Sequence, residues 1–102
     1  MYVMAYTTCA SRKEAARIAE AIVREKLVAC VNYFPVESVY RWCGKLEKTR
    51  EYVLLCKTMK KNLRTLEKRI KDLHSYECPA FIVYPSSYGS KEYLSWIKDS
   101  TR

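Results

Sequence analysis

Residues 74–79 read "HSYECP" and hold the only histidine of the chain, followed at once by tyrosine, glutamate, cysteine and proline. Imidazole, phenol, carboxylate and thiol can each move a proton or bind a cation. Such a cluster has three readings: a metal site, a catalytic group, or a polar hinge between two elements. Nucleophilic catalysis requires a thiol beside an oriented base. Cys78 and His74 are near in sequence but lack a third, orienting residue, and no paired carboxylates stand ready for acid–base hydrolysis. An enzyme is therefore not expected. A neutral imidazole can donate a lone pair to a divalent cation, so His74 is the candidate metal ligand. A histidine at a helix end also serves structure, against the carbonyl end of the helix. Both readings of His74 stand at this stage.

The remaining thiols do not complete an obvious site. Cys9, Cys30, Cys43, Cys56 and Cys78 lie 21, 13, 13 and 22 residues apart. An odd count without C-x-x-C argues against a disulfide framework and against a zinc ribbon. They are expected to be reduced and mostly buried, with Cys78 the last residue before a buried strand.

The elements that must position these residues are legible from periodicity. "YVMAYTT" (2–8) is β-branched and aromatic, which predicts a strand. Ser11 with Glu14 forms a capping box, and Ala15, Ile18, Ala19, Ile22 and Val23 then recur at helical spacing, predicting a helix to about Lys26. Two strands follow, Val28–Cys43 and Leu46–Thr58, turned by Gly44; Pro35 demands an edge or a bulge. Leu63, Leu66, Ile70 and Leu73 mark a second helix over 60–74. Pro79 opens "AFIVY", a short apolar strand stopped by Pro85, and "KEYLSWIKD" forms a short terminal helix with Tyr93, Leu94 and Ile97 inward.

The order is βαββαβ plus a helix, an α+β ferredoxin-like sandwich forming one domain over residues 1–102. Each hairpin arm exceeds a dozen residues, or about 40 Å at ~3.3 Å per residue. A domain of this length has a radius of gyration of only ~13 Å, so the hairpin must overhang its core. Val39, Tyr40, Trp42 and Tyr52 on that overhang need cover, and a second copy of the chain would supply it.

Composition narrows function further. The net charge is +8, concentrated over residues 57–71. The third strand, "EYVLLCKT", lacks the glycine and aromatic run of an RNA-recognition sheet, so no nucleic-acid partner is expected. "TTCAS" has one thiol where a copper chaperone needs two. Two glycines leave no phosphate loop. No apolar run approaches the ~18 residues of a membrane span. "MYVMAYTTCAS" also lacks a basic leader and apolar stretch, which predicts a cytoplasmic protein with no membrane partner.

Several stretches, taken in order, carry a resemblance: "YTT" (6–8), "LVACVN" (27–32), "ESVYRWCGKLE" (37–47), Glu51, "CKT" (56–58), "HSYECP" (74–79) and "EYLSWI" (92–97). The whole chain resembles the divalent cation tolerance, or CutA-type, family. The resemblance implies a homotrimer joined through the long hairpins, similar to PII signalling proteins, and a link to Cu(II) or another divalent cation. It also implies that Cys30, Trp42, Lys57, His74, Tyr76 and Glu77 line a cleft between subunits. Ser75 and Ala80 stand where the family commonly has proline and glutamate. Two readings follow: a trimeric, metal-responsive protein that binds copper weakly, or a small-anion module built on Lys57, Trp42 and Tyr76.

Overall fold

A computed structural model describes residues 1–102. Its elements are β1 (Tyr2–Cys9), α1 (Arg12–Arg24), β2 (Cys30–Trp42), β3 (Lys45–Met59), a 3-10 turn (Lys60–Asn62), α2 (Leu63–Leu73), β4 (Ile82–Pro85) and α3 (Lys91–Ser100). The strands form one antiparallel sheet in the order β2-β3-β1-β4. This is the expected ferredoxin-like α+β arrangement with a terminal helix.

Helix α1 starts where its cap predicts. The Ser11 hydroxyl accepts from the Glu14 N–H at 3.1 Å, and Glu14 reaches back to accept from the Ala10 N–H at 3.2 Å. The helix ends two residues short of the expected Lys26. Leu27 N–H bonds to Ile22 O and Lys26 N–H to Val23 O, with Lys26 at φ 60°, a Schellman stop with lysine where glycine is usual. Ala15, Ile18, Ala19 and Ile22 are buried against Ala5, Cys9, Leu54 and Cys56, with Leu66 and Ile70 of α2 alongside. Val23 falls off this stripe and is exposed, contrary to expectation.

The hairpin is the dominant feature. β2 and β3 pair continuously from Cys30↔Lys57 to Trp42↔Lys45. Cys43 and Gly44 close it with φ 51° and 78°, a two-residue turn whose left-handed backbone matches the twist of the strands. Pro35 sits on β2, an edge strand, where its missing N–H interrupts no ladder on the open side. The molecule is 44 Å long with a radius of gyration of 14.1 Å, so the arm does overhang the core. Val39, Tyr40 and Trp42 are exposed along it, whereas Tyr52 packs against the core.

Helices α1 and α2 cover one sheet face. On the other, α3 covers only part: the Lys57 ammonium lies 5.5 Å from the centre of the Tyr93 ring. Tyr93 is thus half-exposed rather than inward, and Ile97 is the residue of α3 that is buried. The expected strand at 80–84 is shorter and shifted to 82–85, and Ile82 and Tyr84 remain about half exposed, at 52% and 49%. With Met4, which pairs with Tyr84, they form an uncovered apolar strip.

Candidate functional site

Where β1 stops at Cys9, opposite Tyr52, the longer β3 loses its neighbour on that side. Residues 74–80 fill this corner. His74 ends α2, and its side chain is fully buried, with 0% exposure. Its Nε2 lies 2.6 Å from the Thr8 carbonyl oxygen, and its Nδ1 is 3.0 Å from the Tyr76 amide nitrogen. A carbonyl can only accept and an amide N–H can only donate, so the pair fixes the neutral Nε2–H tautomer. Both ring nitrogens are then engaged. Glu14 Oε2 lies 3.7 Å from Nδ1, but an imidazole in this state is not its ion-pair partner. The expectation that His74 offers a lone pair to a cation does not fit this geometry; the ring ties the end of α2 to the end of β1.

Ser75 adds a second tie. Its N–H and hydroxyl both donate to the Glu14 carboxylate, at 2.7 and 3.0 Å. Burial works against the charge on Glu14, but the bonds from Ser75 and Ala10 outweigh it and hold the carboxyl below its ordinary range. The next residue turns outward: the Tyr76 hydroxyl donates to Glu51 Oε2 at 2.9 Å. Burial first, then the bond to Glu51 and its charge, push the phenol well above its usual range. Burial likewise raises the Cys9 thiol to about 11, with Glu14 and Glu51 adding to the shift.

Between this segment and the hairpin lies a cleft of about 610 Å³. Tyr40, Trp42 and Tyr76 supply aromatic wall; Glu51, Glu77 and Cys78 supply donors; no lysine or arginine lines it. The structure therefore brings together Trp42, Tyr76 and Glu77 of the expected cleft residues. Cys30 and Lys57 are not among them. They face each other across the ladder at the core end of the hairpin, twelve residues along β2 from Trp42, or about 40 Å of strand. Cys30 Sγ points toward Asn32 Oδ1 at 4.0 Å.

Glu51, Tyr40 and Thr8 are cleft residues that motif reasoning did not assign. Strand register carries the signal: Glu51 pairs with Val36, on the sheet face shared by Tyr40 and Trp42. The thiols also depart from expectation. Cys9 and Cys56 are buried, but Cys43 and Cys78 are exposed, Cys78 because β4 begins four residues beyond it. The basic stretch on α2 is partly neutralised, by Lys68–Asp72, Lys71–Glu67 and Arg69–Glu25 pairs.

The family described as CutA1 divalent ion tolerance protein matches residues 3–100. The chain belongs to the CutA family. It is 37% identical to the divalent-cation tolerance protein CutA of Archaeoglobus fulgidus, over 98% of each chain. It is 41% identical to the chloroplastic protein CutA of Arabidopsis thaliana, covering 98% of this chain but only 56% of that protein. Its fold superposes on the Thermus thermophilus divalent cation tolerance protein with a TM-score of 0.97, at 38% identity over 100% of both chains. The CutA1 structure from Oryza sativa gives a TM-score of 0.96 at 39% identity, over 99% of this chain and 94% of the other.

The donor set can be set against a divalent cation. No group of three or more His, Cys, Asp or Glu side chains converges to hold a metal ion. Glu51, Glu77 and Cys78 share the cleft without forming a preset ligand cage. A single chain thus offers acidic and thiol donors but not a closed coordination shell.

Proposed function

We propose that this chain is a homotrimeric divalent-cation tolerance protein that takes copper or another divalent cation weakly at clefts between subunits. The observation that carries the reading is the cleft itself, where Glu51, Glu77 and Cys78 face a space without any lysine or arginine. His74 acts as scaffold for that cleft rather than as ligand. Trimer formation is supported by three features. The sheet has two free edges, β2 and β4. One face keeps an uncovered apolar strip of Met4, Ile82 and Tyr84. The overhanging hairpin leaves Val39, Tyr40 and Trp42 exposed, surface that a second copy would cover.

The protein binds rather than catalyses in this reading, because the only histidine has no free nitrogen to act as base for Cys78. Five unpaired cysteines suit a reducing compartment, which supports action in the cytoplasm. Light scattering should report a trimer at micromolar concentration, and a stable monomer would remove the assembly. Calorimetric titration with Cu(II) should show weak, saturable binding that falls in Glu77→Gln and Cys78→Ser. If phosphate or carboxylate metabolites bind and copper does not, the small-anion reading built on Lys57 replaces this one.

A further inference from the structure

We infer that the cleft between the hairpin and residues 75–80 is a binding site for a small organic ammonium ion, an amine on an apolar body. The inference rests on the cation preference proposed above but names a ligand class that a bare metal does not represent.

Size is the first argument. A divalent ion with six waters fills roughly 200 Å³ at ~30 Å³ per water. The cleft, at about 610 Å³, is about three times larger and falls in the range of small-molecule pockets. A metal ion alone would leave most of it to solvent.

Wall chemistry is the second. Tyr40, Trp42 and Tyr76 present ring surface to the cleft. An inorganic cation has no carbon to lay against those rings, whereas an alkylammonium matches them with its methylenes and is attracted electrostatically to the π-faces. The acidic groups supply the other half. Glu51 is only 9% exposed, and its Oε2 accepts from Tyr76, while Oε1 accepts no hydrogen bond within the chain. A half-satisfied carboxylate in a cleft is matched by the N–H donors of an ammonium group. Glu77 stands at the exposed rim, where it adds attraction of the same sign. A carboxylated or phosphorylated ligand would meet two carboxylates and no cationic side chain. The raised Cys9 and Tyr76 values agree with a negative local field, since the charge of Glu51 adds to burial in both.

Titration calorimetry on the full chain in its native assembly provides the test, with 1,5-diaminopentane as probe against 1,5-pentanediol and glutarate at the same concentration. The diamine should give saturable heat, and the diol and glutarate none. Glu51→Gln and Trp42→Ala should each weaken the diamine by tenfold or more, with circular dichroism and light scattering confirming fold and assembly. Because Glu51→Gln also alters the Tyr76 bond, the rim variant Glu77→Gln gives an independent reading, with an expected two- to fivefold loss. Absence of saturable diamine heat, diamine binding unchanged by Glu51→Gln and Trp42→Ala, or glutarate binding more tightly than the diamine each overturns the inference. A parallel Cu(II) titration separates the two proposals. Copper binding without diamine binding leaves the function standing and removes the ammonium site; diamine binding without copper does the reverse.

Discussion

The His74 ring and the Thr8 carbonyl oxygen are joined at 2.6 Å, and this contact, with the Tyr76 N–H on the other ring nitrogen, makes the sole histidine a buried bracket between α2 and β1. His74→Ala would leave a carbonyl and an amide without partners in a closed space. The expected cost is about 2–6 kcal/mol, at 1–3 kcal/mol for each of the two buried groups left unpaired. Urea unfolding should show it as a lower midpoint with an unchanged slope. A variant as stable as the parent would mean that the ring is dispensable to the fold.

Glu14 gives a pH signature. Its folded pKa lies below the ordinary value of 4.5, so the folded chain releases this proton more readily than the unfolded one. The stability it contributes is present above that ordinary value and is lost as pH falls through the lower folded value. Glu14→Gln should therefore be less stable than the parent at pH 7, and the gap should be smaller at pH 3. Denaturant midpoints at the two pH values check this. A gap of constant size would mean that the charge of Glu14 contributes nothing.

The thiols should separate by reactivity. Burial raises Cys9 to about 11 and Cys56 to about 12, with the Cys30 thiol adding to the second. Thiolate, the reactive form, is scarce at both near neutral pH. Iodoacetamide followed by mass spectrometry should label Cys43 at the hairpin turn in the native protein, and Cys9 and Cys56 only after unfolding. Native labelling of Cys56 ahead of Cys43 would contradict the packing described.

Lys26 occupies the left-handed position of the α1 stop at φ 60°. A β-carbon is strained there and glycine is not, although glycine also loosens the unfolded chain. Lys26→Gly is expected to stabilise by ~0.5 kcal/mol, the difference between these two effects. Thermal melting of parent and variant at equal concentration would test it, and a lower midpoint would mean that the lysine side chain makes an unrecognised contact.

Local rules made most of the fold legible. The Ser11 cap, the Ile18–Ile22 stripe, the Gly44 turn and the edge position of Pro35 each follow from a residue type in a fixed place, and each stands in the structure. The departures are tertiary. Val23 and Tyr93 obey helical spacing, but only packing decides which edge of the stripe is covered. The fourth strand is short because its pairing with β1 spans only four residues, a tertiary limit that its apolar run does not reveal. The site was harder to read. "HSYECP" identified the right segment, yet the tautomer of His74 depends on Thr8, sixty-six positions away, which no spacing rule reveals. Glu51 was the quiet residue: a lone acidic position in a strand becomes informative once the register puts it beneath Tyr40 and Trp42.

β3 runs unbroken from Lys45 at the hairpin tip to Met59 in the core, while Trp42 near the tip and Thr8 in the core line one cleft. Two-stranded ribbons twist more strongly than wider sheets. The cleft therefore has one wall on an overhanging ribbon and the other on the core, and the distance between the walls follows the twist and curvature of the ribbon.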